Sequence, residues 1–252
     1  MSLISFPVSL ISVVVRCVQD AVGDDIEADV RLNDLKTRNS VPSRIWDLLN
    51  TNLIRSLDAE DCTTATSHRG PWEMLIIYER TSQCILTFMR KKRFAELKRN
   101  QHHRKKMHYV DMLARQFNMD LLADQEQLCL IPHVFSDEDK LANLVQNLLS
   151  GLRCGDGVIQ HHVLVLFDTT GYQLTHIRAV MITSSLDIAK DGDQDWSRFI
   201  KSEQSTVVET IVNSVAIENQ PNHGLSLTKK AIARKKSNPQ IKNQESQLKG
   251  EA

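Results

Sequence analysis

A chain of 252 residues has room for one large domain or two small ones. Its 41% hydrophobic and 25% charged residues are ordinary for a globular protein able to bury a sizeable core. The 31 basic and 31 acidic side chains cancel, which excludes a whole-molecule field drawing the protein to nucleic acid or membrane, so any such attraction is local.

The N-terminal run Leu3, Ile4, Phe6, Val8, Leu10, Ile11 and Val13 to Val15 invites comparison with an export signal. A signal peptide has a basic residue before its apolar run, whereas here Arg16 follows it, and Cys17-Val18-Gln19-Asp20 is a poor cleavage site. The run is also shorter than the roughly 18 apolar residues of a membrane span. It reads as the start of a core element. Over 8–22 the apolar positions Leu10, Ile11, Val14, Val18 and Val22 predict a helix, ended by Gly23. Pro42 opens a second helix to about residue 57, with Ile45, Leu48, Leu49, Leu53 and Leu57 on one side.

Residues 58–67 are polar and Thr-rich, and Gly70-Pro71 marks a break. The runs 72–78 and 84–89 then form a β-hairpin signal, and consecutive Leu75, Ile76 and Ile77 predict a strand covered on both faces. A basic stretch over 90–106 precedes a helix at 107–118. Ser136-Asp137-Glu138-Asp139 reads as a helix start, with Leu141, Leu144, Val145, Leu148 and Leu149 behind it. A second hairpin follows, with strands at 163–167 and 174–182 and a turn at 168–171. Asp195-Trp196-Ser197 starts a short helix through Ile200.

Helix followed by hairpin thus occurs twice. The expected fold is α+β: two helix-plus-β-hairpin units packed as one mostly antiparallel sheet with surrounding helices. The domain spans 1–217. Residues 218–252, rich in Asn, Gln, Lys and Ser, are too polar to offset the entropy of folding and are expected to form a disordered basic tail.

Five phrases carry a resemblance: Trp46-Asp47-Leu48-Leu49-Asn50-Thr51-Asn52-Leu53, Gly70-Pro71-Trp72-Glu73, Thr87-Phe88-Met89-Arg90-Lys91-Lys92-Arg93-Phe94, His108-Tyr109-Val110-Asp111-Met112-Leu113 and Asp195-Trp196-Ser197-Arg198-Phe199-Ile200. They resemble a bacterial domain family of unknown function, over about residues 44–200. The resemblance implies a bacterial cytoplasmic protein and, by association, mobile or defence-related gene neighbourhoods. It brings no activity, substrate or catalytic residue.

The densest local charge is Arg90, Lys91, Lys92, Arg93, Lys98, Arg99, Arg104, Lys105 and Lys106, with His102, His103 and His108 interleaved and only Glu96 as a counter-charge nearby. Such a segment can follow a phosphate backbone by displacing counterions. A solvated helix face, or a surface for an acidic protein, explains the same pattern. If 91–106 is one helix, Lys91, Lys98 and Lys105 share a side while Phe94 and Leu97 anchor the other. The expected function is therefore that of an accessory or regulatory protein that binds a protein or nucleic acid, RNA or DNA, through these residues and His108. The alternative is a small nuclease or toxin-like enzyme using Arg104, His108 and Asp111 on a phosphodiester.

No nucleophile elbow, phosphate loop or dinucleotide fingerprint occurs, and the Lys of a metal-nuclease Glu-x-Lys pair is missing at Thr81 and Leu75. Adjacent His102-His103 and His161-His162 diverge in helix or strand and are poorly placed to chelate. No cofactor and no metal site are expected. The five cysteines, Cys17, Cys62, Cys84, Cys129 and Cys154, lack close pairs and read as reduced thiols of a cytoplasmic protein. Trp72 is expected in the core, and Trp196 is left between core and interface.

Overall fold

The computed structural model describes residues 5–57, 61–69, 72–104, 106–121, 138–154 and 157–201. All of them fall in the first of two compact units, 1–202 and 203–252. The tail expected at 218–252, the Ser136-Asp137 cap, Lys105 and Cys129 lie outside the described residues.

The apolar N-terminus becomes helix α1, Val8–Val22, which buries Leu10, Ile11, Val14, Val15, Val18 and Val22. Gly23 ends it and α2, Asp24–Leu32, follows at once. Three acidic residues, Asp24, Asp25 and Glu27, sit in the first turn of α2, where the positive helix end favours them. Helix α3, Val41–Leu57, buries Ile45, Leu49, Leu53 and Leu57 on the side that its spacing predicts.

Three strands come next: β1, Cys62–Arg69, β2, Trp72–Glu79, and β3, Cys84–Arg90. Helices α4, Lys91–Arg99, α5, Tyr109–Phe117, and α6, Glu138–Leu149, cross over to β4, His161–Thr170, β5, Gln173–Ile182, and β6, Ile188–Asp195. The six strands form one sheet in the order β1-β2-β3-β4-β5-β6. Every pair is antiparallel except β3 with β4, so the α+β class holds. A parallel pair cannot be closed by a tight turn, which is why the helices α4 to α6 lie between β3 and β4.

Each predicted hairpin gains a third strand that the sequence reading missed. β1 arises from the polar, Thr-rich stretch and β6 from a run containing Lys, Asp and Gly. Both are sheet edges, where one strand side faces no neighbour and polar residues discourage further pairing. The second hairpin turns at Gly171-Tyr172, two residues later than expected, because Thr170 already pairs with Gln173. Gly171 has φ +61°, which favours glycine, and a bulge between Asp168 and Thr169 absorbs the offset.

The sheet is covered on both faces. Alternate residues Leu75, Ile77, Leu86, Phe88, Val163, Val165 and Phe167 pack against α1 and α3, while Ile76, Ile85, Met89, Leu164 and Leu166 pack against α4 to α6. Trp196 closes the first layer: it is fully buried, meets Phe6 edge to face at 5.8 Å, and its indole N–H donates to Gln194 at 2.9 Å. Trp72, expected in the core, is instead 57% exposed, because the first two residues of β2 extend past the covering helices. Cys17 and Cys84 are buried thiols whose pKa values burial raises, which keeps them unreactive. Among the described residues, no helix is long and apolar enough to cross a membrane.

Two buried polar groups tie α5 to the sheet. The Asn118 amide donates to the carbonyls of His162 at 2.8 Å and Ile182 at 3.0 Å, and its oxygen accepts from the His162 N–H at 2.9 Å. His162 is fully buried, with Nε2 2.8 Å from the Thr87 hydroxyl, and desolvation lowers its pKa to about 3. An unfolded histidine takes a proton near pH 6.5, so the folded state loses stability as pH falls below that value. Between pH 6.5 and 5, where carboxylates stay ionised, this histidine should cost about 2 kcal/mol of unfolding free energy. Urea unfolding of the protein and of H162Q at both pH values measures it, and the variant should lose most of the difference. In the same assay Trp196→Ala should cost about 3–5 kcal/mol, and Trp72→Ala less than about 0.5 kcal/mol.

Candidate functional site

The β2–β3 hairpin is zipped only next to its turn. Its ladder consists of Ile77 with Leu86, Tyr78 with Ile85, and Glu79 with Cys84. The buried Glu79 carboxylate holds that turn by accepting from the Thr81 and Ser82 amides at 2.9 and 2.7 Å. Beyond Ile77 the strands part. β2 stays with β1 as far as Arg69 opposite Trp72, and β3 stays with β4 as far as Arg90 opposite Phe167. The sheet therefore splits along one seam at the carboxyl end of β3.

A cleft of about 510 Å³ occupies the split, within the size range of small-ligand sites. α3 contributes Pro42, Trp46 and Asn50, and β2 contributes Trp72, Glu73, Met74 and Leu75. Phe88, Met89 and Arg90 come from β3, Arg93 from α4, and His108 and Tyr109 from the start of α5. Trp46 is fixed edge to face on Phe167, with ring centres 5.6 Å apart. The Tyr109 hydroxyl donates to the Phe88 carbonyl at 3.3 Å, a side-chain donor on the part of β3 that β2 has left. At the far rim, Glu73 faces His68 of β1 across 3.6 Å.

Arg90 is the unusual member. It is half-buried, its guanidinium lies 5.8 Å from the Phe167 ring centre, and it reaches the Thr169 hydroxyl at 3.5 Å. Desolvation lowers its pKa, opposed by the field of Asp168, yet a guanidinium stays charged at any pH where proteins fold. Among the described residues no carboxylate lies within ion-pair distance of it. Charges removed from water are normally paired, so an arginine left unpaired in a cleft stands out.

The remaining basic residues divide into two groups. Arg93 pairs with Glu96 at 3.2 Å and Lys98 with Asp187 at 2.7 Å. Arg104 grips Asp111 through both guanidinium nitrogens, at 2.5 and 2.8 Å. Asp111 also accepts from the His108 N–H at 2.9 Å, while the His108 ring accepts from the Val110 N–H at 3.3 Å. His108 and Asp111 thus form the capping box of α5, with Arg104 neutralising the carboxylate. Lys91, Lys92, Arg99 and Lys106 are exposed and, among the described residues, have no carboxylate within ion-pair distance.

The segment is not one helix. α4 stops at Arg99, a short 3₁₀ turn spans Gln101–His103, and α5 begins at Tyr109. Lys91 and Lys98 both fall on α4, Lys105 lies outside the described residues, and Phe94 and Leu97 are buried as expected. Lys92 and Arg99, seven apart, lie on the outward side opposite Phe94 and Leu97. The first turn of α4 holds Lys91, Lys92 and Arg93 with no acidic residue and no side-chain cap. Cations at that positive helix end are locally unfavourable, the reverse of what stability alone selects.

Of the nuclease alternative's residues, Arg104, Asp111 and the His108 N–H are bonded to one another, and His108 alone lines the cleft. Among the described residues, no group of three or more His, Cys, Asp or Glu side chains is placed to hold a metal. A second, smaller pocket of about 320 Å³ near Lys91 is lined by Asp168, His176, Arg178, Asp193 and Asp195, and Arg178 there is spent on Asp193. Sequence reasoning found Arg90 and Arg93 but not Trp46, Trp72 or Tyr109 as their neighbours. All three stand inside the resembling phrases, which was the available signal.

Taken together, these features define an α+β protein with a sheet split open beside a basic helix. A model of a family of unknown function, DUF5986, matches residues 3–245, nearly the whole chain, and the chain belongs to that family. No curated protein and no solved structure matches it significantly.

The Arg104–Asp111 pair sets a stability expectation. Asp111→Ala leaves a partly buried guanidinium without its anion and should cost about 3–5 kcal/mol in chemical unfolding. Lys92→Ala, at an exposed cation, should stay within about 0.5 kcal/mol of the parent.

Proposed function

We propose that the protein is a cytoplasmic accessory or regulatory protein of bacteria that works by binding single-stranded nucleic acid along α4 and the mouth of the split. The carrying observation is that Lys91, Lys92, Arg99 and Lys106 have no carboxylate within ion-pair distance among the described residues, on a segment whose Arg90 and Arg93 line the cleft together with the exposed Trp72. Cations left uncompensated beside an exposed aromatic suit a chain that offers phosphates and unstacked bases in alternation. A duplex offers its bases only as edges in a groove, so a Trp at a cleft mouth favours the single strand. The bacterial setting is supported by the resembling phrases, and the cytoplasm by scattered, free thiols.

Because overall charge is zero, binding should be local and strongly salt-dependent. Titrating a fluorescent single-stranded 12-mer, about the site size of one binding module, should give a log–log salt slope of about −2 to −3, from three or four phosphates at about −0.7 each. Lys92→Glu combined with Arg99→Glu should weaken binding at least tenfold and flatten the slope. Affinity indifferent to salt, or no binding at low salt, overturns the proposal. Polyglutamate bound as tightly as the oligonucleotide replaces nucleic acid with an acidic protein partner.

A further inference from the structure

We infer that the split between β2 and β3 is a binding site for one nucleotide unit, with its base among Trp46, Trp72 and Tyr109 and its phosphate on Arg90 and Arg93. This deepens the nucleic-acid reading and rests on it, but it has its own physical basis. The base needs a dry aromatic slot, and the cleft supplies Trp46 held against Phe167 and Trp72 exposed at the mouth. Base–aromatic stacking contributes enough per base to select such a slot without sequence readout. The phosphate needs a cation that no protein carboxylate has already claimed. Among the described residues Arg90 has no carboxylate within ion-pair distance, and its half-burial strengthens attraction to an anion by excluding water.

Arg93 extends the same anion site. Its partner Glu96 is on the same helix and the pair is solvent-exposed, so exchanging that carboxylate for a phosphate costs little. The cleft's polar groups, Asn50 and Glu73, offer a donor–acceptor pair and a carboxylate for the base edge. The split also explains why a strand would forgo pairing: β2 residues 72–76 and β3 residues 87–90 give up a ladder that a longer hairpin would have formed. Departures from complete local pairing gather at functional sites in native folds.

The nucleotide can be free or the phosphorylated end of a strand, since both present the same base and phosphate. Tryptophan fluorescence of the full chain, titrated with AMP and with UMP, should show saturable quenching. Adenosine or inorganic phosphate alone should bind at least tenfold more weakly than AMP. Arg90→Gln should weaken AMP at least tenfold, and Trp72→Ala, at an exposed position, should do so with an unchanged melting temperature. If Arg90→Gln fails to fold, Trp72→Ala decides. Comparing a 5′-phosphorylated with a 5′-hydroxyl oligonucleotide tells the sources apart: a preference for the phosphorylated end assigns the cleft to strand termini, and AMP binding without it assigns the cleft to free nucleotide. Salt-dependent oligonucleotide binding that ignores Arg90→Gln and Trp72→Ala, with no response to AMP or UMP, overturns the cleft assignment and leaves the basic-surface reading standing. AMP binding without any oligonucleotide binding does the reverse.

Discussion

Everything distinctive in this fold follows from the commitment of β3 to β4. Their ladder runs the full length of β3, from Cys84 opposite His161 to Arg90 opposite Phe167, and it is the one parallel pairing among the described strands. A strand in the middle of a twisted sheet has two neighbours to satisfy, and full pairing with one leaves any divergence to appear on the other side. Here the divergence falls between β2 and β3. The parallel register also forces the long connection through α4, α5 and α6, which brings a basic helix to the place where the sheet opens.

The electrostatics follow from the same crossover. Counting charges along the sequence leaves Glu96 as the lone local counter-charge, but the fold returns Asp187 from beyond β5 to Lys98 and sets Asp111 under Arg104. Part of a basic segment can thus be structural while, among the described residues, the rest has no carboxylate within ion-pair distance. What separates them is position: Lys98 and Arg104 meet acidic chain from beyond α4, Arg93 is paired within α4, Lys92 and Arg99 face outward, and Arg90 lines the split. Arg90 differs again, because it is half-buried and, among the described residues, has no carboxylate within ion-pair distance, an arrangement that stability by itself disfavours.

Much of the framework was legible in the sequence because periodicity is a strong signal where burial is one-sided. The faces of α1 and α3 and the consecutive apolar runs of β2 and β4 stand as read. Edge strands β1 and β6 were not legible, since an edge needs little apolar patterning and Thr, Lys and Asp are tolerated there. Trp72 was misplaced for a related reason: residue type predicts burial only where the element continues under cover, and β2 begins outside it. The site was half-legible. Its cations announce themselves by density, but the length of a ladder is a property of twist and neighbours, so the split and its aromatic walls come only with the fold.

The closure of the first layer carries a consequence for biosynthesis. Helix α1 is made before β5, yet its apolar face is completed by β5 and by Trp196 against Phe6, while Gln19 exchanges hydrogen bonds with Lys201, separated by 182 positions. A chain that has not yet delivered β5 can pair α1 with α3 but leaves the rest of that face uncovered, and contacts of such sequence separation are slow to form. The N-terminal helices can therefore pair before β5 arrives, but the layer they build is sealed only when Trp196 reaches Phe6.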